Sequence, residues 1–129
     1  MAFMQWQPAA QESSLTHSRF NKVVSYGGFL YLSGQTAADN ATASFREQVA
    51  VVLGRIEQLL VMAGSDKRHL LSAVMLVQSE DNIGLLHQLW EHWLDEGATP
   101  ITHVAIASMV VPGSKVEISV VAVLCNTTA

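Results

Sequence analysis

Apolar residues recur along this chain with two different periods, and each change of period marks a boundary between elements. Residues 20–26 and 28–33 are rich in β-branched and aromatic side chains and read as two strands. Gly27-Gly28 lies between them and supplies the positive φ of a tight hairpin. Residues 36–43 are small and polar and read as a loop. From Ser44 to Ala63 the period turns helical. Phe45, Val49, Val52, Ile56, Leu59 and Leu60 form one stripe, which Gly64-Ser65-Asp66 ends. Leu70 to Val77 is almost unbroken in apolar character, the pattern of a strand covered on both faces. Ser79 or Asp81 can cap a second helix, with Ile83, Leu86, Leu89, Trp90, Trp93 and Leu94 as its stripe and Gly97 as its stop. Thr102 to Val111 reads as a strand, Pro112-Gly113-Ser114 as a turn and Lys115 to Leu124 as the last strand.

The resulting order is β-β-α-β-α-β-β, an α+β arrangement in which two helices can cover one face of a mixed sheet. The strands nevertheless carry apolar residues on both faces. A closed ring of identical subunits, each contributing a sheet, would cover the second face. Residues 1–19 have no clean period and are expected to form an N-terminal arm, with Trp6 and Leu15 able to pack on the domain. A single domain spans 20–125, and 126–129 are a short tail.

Composition sharpens this picture. The chain has 129 residues, enough for one core, and 50% of them are hydrophobic. Only 14% are charged, against roughly 25% in an average domain, which again favours an oligomer. The net charge is -4 and the seven Lys and Arg are scattered, so nucleic acid is not an expected partner. Cys125 is the single cysteine, which rules out a disulfide within the chain and fits a reducing compartment. Val120 to Cys125 is too short to span a bilayer, and the N-terminus lacks the pattern of a signal peptide. A cytoplasmic protein without a membrane partner is expected.

Among the residues able to carry chemistry, Glu117 is the sharpest. The last strand reads KVEISVVAV, and alternation puts Glu117 on one face with Ser119, Val121 and Val123. A carboxylate among apolar neighbours is costly unless partnered, and burial prepares it as an acid or base. The competing reading is an edge glutamate that reaches water beside Lys115. The histidines form no metal-ligand pattern: His87 and His92 are five apart, and no HExxH is present. His87 is expected to share a helix face with Trp90, and His103 starts a strand near Pro100, where it would line a cleft or sit on the surface. Neither a metal nor an organic cofactor is expected. Ser33 has no GxSxG elbow around it and reads as a hydrogen-bonding residue that closes a strand. GGFLYLSG opens a hairpin rather than a helix, which disfavours a dinucleotide site. Trp90 and Trp93 are core by period.

Four stretches taken in order carry a resemblance: FLYLSGQTA, VLGRIEQLLVMAGSDKRHLLSAVMLV, LLHQLWEHWLDEGATP and PGSKVEISVVAVL. They resemble the RidA superfamily, also called the YjgF/YER057c/UK114 family, over nearly all of residues 20–125. The resemblance implies a chorismate-mutase-like α+β fold and a homotrimer. In it three sheets form an inner barrel, with small-molecule clefts between subunits. It also implies cofactor-free hydrolysis of reactive enamines and imines to a carbonyl compound and ammonia. Gly34 falls on the family's glycine, flanked by Ser33 and Gln35, and Glu117 falls on its glutamate. Other positions differ from the family pattern. Thr102 stands where active members carry an arginine that grips the substrate carboxylate, and Val104 where cysteine or threonine is frequent. His87 stands on the helix asparagine and Phe20 on a tyrosine. Arg19, His87 or His103 would have to supply a substitute cation. Three readings stay open: a divergent imine deaminase, a hydrolase of another small carbonyl or imine compound, and a non-catalytic metabolite-binding or interaction protein.

Overall fold

The computed structural model of this chain describes residues 4–6, 21–37, 39 and 42–125. Among the described residues, six strands and two α-helices follow in the order β1 (Met4–Trp6), β2 (Val23–Tyr26), β3 (Phe29–Leu32), α1 (Phe45–Met62), β4 (Leu70–Val77), α2 (Ile83–Trp93), β5 (Ile101–Ile106) and β6 (Val116–Val123). One sheet contains all the strands, in the spatial order β1-β2-β3-β6-β4-β5. The β4–β5 pair is parallel and the other pairs are antiparallel, so the mixed α+β architecture expected from the pattern is the one observed.

Each helix lies where its stripe predicts. The six stripe residues of α1 are all buried, and α1 packs on β6 and on α2. Ser44 caps α1 by accepting from Glu47 N at 3.1 Å while its hydroxyl donates to Glu47 Oε1 at 3.1 Å, a variant of the capping box. Gly64 takes a φ of +94° and lets the chain leave the helix, with Ser65 N donating to Leu60 O at 2.8 Å. Gly54 touches nothing that a methyl group would meet, so close packing against the sheet is not its reason.

The structure corrects four details of the pattern. Part of the N-terminal arm is a strand: Met4–Trp6 pairs antiparallel with Val23–Ser25 and forms one sheet edge. The helix α2 ends at Trp93, before Gly97, because Leu94 turns to an extended ψ of 143°. On α2, Trp90 is buried while His87 is exposed, so the two do not share an environment. The strand after α2 stops at Ile106 rather than Val111. Its one neighbour, β4, ends at Val77, and after Ala107 N bonds to Val77 O no ladder remains to continue.

Core residues from β2, β3, β4 and β6 meet the helices on one face. Val116, Ile118, Val120 and Ala122 of β6 are all buried there. The opposite face carries Tyr26, Phe29, Tyr31 and Val74, each more than 40% exposed, with Leu76, Val121 and Val123 partly covered between them. The strand β4, expected to be covered on both faces, is covered by this chain on one. At the end of the helix layer, Lys67 Nζ lies 5.0 Å from the Trp93 ring centroid and donates to Trp93 O at 2.8 Å.

Gln48 ties α1 to the turn before β6. Fully buried, it donates through Nε2 to Gly113 O at 3.0 Å and accepts at Oε1 from Lys115 N at 2.9 Å. Replacing it with alanine strands the two backbone groups inside the protein. Gln48→Ala is therefore expected to lower stability by about 2–3 kcal/mol, read from the midpoint of urea denaturation at unchanged m-value.

Candidate functional site

Glu117 lies on the open face of the sheet, in an interior strand rather than at an edge. Leu76 of β4 is its cross-strand partner on one side. On the other side the chain after β3 returns to β6 through a single bridge: Gln35 N donates to Ile118 O at 2.8 Å and Ile118 N to Gln35 O at 3.1 Å. This bridge sets Gly34 beside Glu117. A Cβ on Gly34 would sit 2.6 Å from Glu117 Oε2, 2.7 Å from Cδ and 2.9 Å from Cγ. The glutamate therefore lies over a backbone that only glycine leaves open. Among the described residues it has no hydrogen-bond or ion-pair partner. Lys115, whose ammonium donates to Ala43 O, leans toward α1 instead.

The segment that frames Gly34 is braced from within. Ser33 N donates to Lys22 O at 2.9 Å, and Gln35 Nε2 donates to Ser33 O at 3.1 Å and to Ser33 Oγ at 3.2 Å. Gln35 is 5% exposed, and its side chain is turned into the fold, where it braces the loop. Further along, Arg55 of α1 donates to Thr36 O and pairs with Asp39 at 2.6 Å. The guanidinium holds the Asp39 carboxyl below the ordinary carboxylate range. Arg55 did not stand out in the sequence, because its partners are 16 and 19 residues away and no local spacing connects them.

The remaining candidates do not join this group within one chain. Thr102 pairs with Ala73 and Val104 with Met75, which places both on the helix side of the sheet, away from Glu117. Val104 packs at the margin of the core, while Thr102 is exposed on the edge strand. His103 pairs with Val74 and shares the open face with Glu117. Two strand spacings, roughly 9–10 Å, separate their strands. His87 is exposed on α2. Phe20 and Arg19 lie outside the described residues.

The fold and site together define a class: a mixed sheet with two helices on one face, an apolar open face, and a glutamate set over a strand-end glycine. The sequence profile described as endoribonuclease L-PSP matches residues 11–124. A RutC family protein of Haemophilus influenzae is 30% identical over 108 residues, covering 84% of this chain and 93% of the relative. The RutC family protein YoaB of Escherichia coli is 30% identical over 105 residues, covering 81% of this chain and 90% of YoaB. Among solved structures, an uncharacterised protein from Pseudomonas aeruginosa superposes with a TM-score of 0.82 at 26% identity, covering 95% of this chain and 99% of that one. A member of the YjgF protein family from Neisseria meningitidis gives 0.80 at 28% identity, with 98% of both chains covered. The chain belongs to the endoribonuclease L-PSP family, within the RidA/YjgF/YER057c/UK114 superfamily.

The Gly34–Glu117 contact yields a direct test. Gly34→Ala is expected to destabilise the protein by about 1 kcal/mol, because the outer half of the Glu117 side chain must move. The penalty should vanish in a Glu117→Ala background, giving a coupling energy within the 0.5–3 kcal/mol typical of touching residues. Thermal or chemical denaturation of the four proteins of this double-mutant cycle measures it.

Proposed function

We propose that this chain assembles as a homotrimer, with the open sheet faces turned inward and small-molecule clefts between subunits. In each cleft Glu117 positions water for hydrolysis of a reactive enamine or imine to a carbonyl compound and ammonia. The observation that carries this reading is the Glu117 carboxylate, which lies over Gly34 on an open apolar face with no partner among the described residues. Assembly has a physical motive in the exposed Tyr26, Phe29, Tyr31 and Val74. The placement of Thr102 and Val104 on the far side of the sheet supports clefts between subunits. A site that used Thr102 or Val104 together with Glu117 would draw them from different chains.

The chemistry asked of Glu117 is modest. Its carboxylate accepts a proton from water as the oxygen bonds to the imine carbon, and the C=N π electrons and a proton go to nitrogen. The hydroxyl of this adduct then gives up its proton and nitrogen gains a second one, so the C–N bond breaks as the carbonyl forms and ammonia leaves, with one water consumed. Gly34 keeps the neighbouring backbone within reach of the substrate. Thr102 holds no charge for a carboxylate, so the favoured substrates are imines that lack one or whose carboxylate meets another cation, with His103 on the open face and Arg19 as candidates. The absent arginine also favours a second reading, a non-catalytic metabolite-binding protein on the same trimeric scaffold.

Hydrolysis of freshly generated 2-iminopropanoate, alongside an uncharged imine of similar size, separates these readings. Acceleration of either substrate is expected, and Glu117→Ala should reduce it by about 10²–10⁴-fold, the usual size of a general acid–base contribution. Equal rates with and without the wild-type protein for both substrates would favour the binding reading. Sedimentation of the same sample should show three chains per particle.

A further inference from the structure

Away from Glu117, where the end of β6 meets the start of β4, three side chains with metal-ligand chemistry converge. Asp66, His69 and Cys125 each offer a ligand atom, and these atoms all lie within 4.8 Å of one another. Asp66 Oδ1 is 2.7 Å from His69 Nδ1. Cys125 Sγ is 3.5 Å from Asp66 Oδ2 and 3.7 Å from His69 Nδ1. We propose that Asp66, His69 and Cys125 form a transition-metal site that takes zinc, with a fourth position left to water or an outside ligand.

The geometry and the donor set support this assignment. Zinc–ligand bonds of about 2.0–2.3 Å in a tetrahedron place the donor atoms roughly 3.3–3.6 Å apart. The two separations from Cys125 already lie near that range. The Asp66–His69 pair is closer because a proton bridges it. An ion that took the proton's place would need the two atoms to open by roughly half an ångström. One sulfur, one imidazole nitrogen and one carboxylate oxygen suit zinc and its neighbours in the series, and disfavour magnesium or calcium, which prefer oxygen alone. The set also differs from a nucleophile relay. Asp66 and Cys125 both meet the same ring nitrogen, Nδ1, so the histidine cannot pass a proton from one ring nitrogen to the other.

The ligands are held by bonds other than those between them. Cys125 N donates to Gly64 O at 2.9 Å and Ser65 Oγ donates to Val123 O at 2.6 Å, which fastens the end of β6 to the segment after α1. Asp66 caps a single 3-10 turn, Lys67–His69, by accepting from Arg68 N at 2.9 Å, and that turn presents His69 three residues later. One group opposes a cation: the Arg68 guanidinium, which meets Asp66 Oδ2 at 3.2 Å. Its side chain is 67% exposed and is free to swing away. Binding converts the Cys125 thiol to thiolate and releases its proton to solvent, together with the proton shared by Asp66 and His69 where that is present.

Cobalt(II) serves as the spectroscopic probe on the full-length chain, freshly reduced and stripped with a chelator. A thiolate-to-cobalt charge-transfer band and intense visible bands of four-coordinate cobalt are expected, with both displaced by zinc. Cys125→Ser should abolish the charge-transfer band. Loss of an outer-shell group already costs about 10–100-fold in affinity, so His69→Gln and Asp66→Asn should weaken zinc binding by at least about 100-fold. Arg68→Ala should tighten it, by up to roughly fivefold for removal of one exposed charge. Zinc should raise the melting temperature of the wild type and leave that of Cys125→Ser unchanged, with magnesium inert for both. Absence of the charge-transfer band in the wild type, or zinc binding of equal strength in Cys125→Ser, would overturn the assignment. If Asp66→Asn does not fold, Cys125→Ser and Arg68→Ala carry the test, since both positions are exposed.

Discussion

Strand β6 pairs along both edges, with β3 on one side and β4 on the other, and this double pairing joins the two halves of the chain. Its side chains alternate without a break, so Val116, Ile118, Val120 and Ala122 enter the core while Glu117, Ser119, Val121 and Val123 take the other face. A slip of one residue would put a carboxylate under α1 and four core residues outside. Register in β6 is thus set by the large cost of that exchange. Its N-terminal end is further held by buried Gln48, and the Gln35–Ile118 bridge brackets Glu117 from the side. The position of the carboxylate over Gly34 is a consequence of how the core packs.

The same sheet leaves one face without a layer of its own chain over it. Among the described residues, the two α-helices lie on a single face, and the other face exposes aromatic and branched side chains. At one edge β5 offers a strand with a single neighbour, flanked by the exposed Ile101 and Ile106. Unpaired edges and large apolar surfaces both favour association. The sparse charge of the chain fits this: 14% charged residues leave little to keep such a surface soluble alone.

The elements were largely legible because helix and strand periods are local. The stripes Phe45 to Leu60 and Ile83 to Leu94 identified α1 and α2, and KVEISVVAV put Glu117 on the face opposite Val116, Ile118, Val120 and Ala122, without saying which face meets the core. The limits of elements were read less well where a neighbour decides them. β5 stops where β4 stops, and Met4–Trp6 is a strand through its pairing with β2, which no local period announces. The side-chain groupings were the least legible. Arg55 with Asp39, Gln48 with Gly113, and Asp66 with Cys125 are joined across 16, 65 and 59 residues.

By itself the sequence determined the order of elements from β2 to β6, the two-helix layer, the alternation that sets Glu117 opposite Val116 and Ile118, and the family pattern around Gly34. Each of these follows from residues within a few positions of one another. Tertiary structure alone decided that Gly34 lies under Glu117, that Thr102 and Val104 face away from it, and that Cys125 closes on Asp66 and His69. Those contacts depend on strand order and register, which arise when distant segments compete to bury apolar surface and to pair every backbone group.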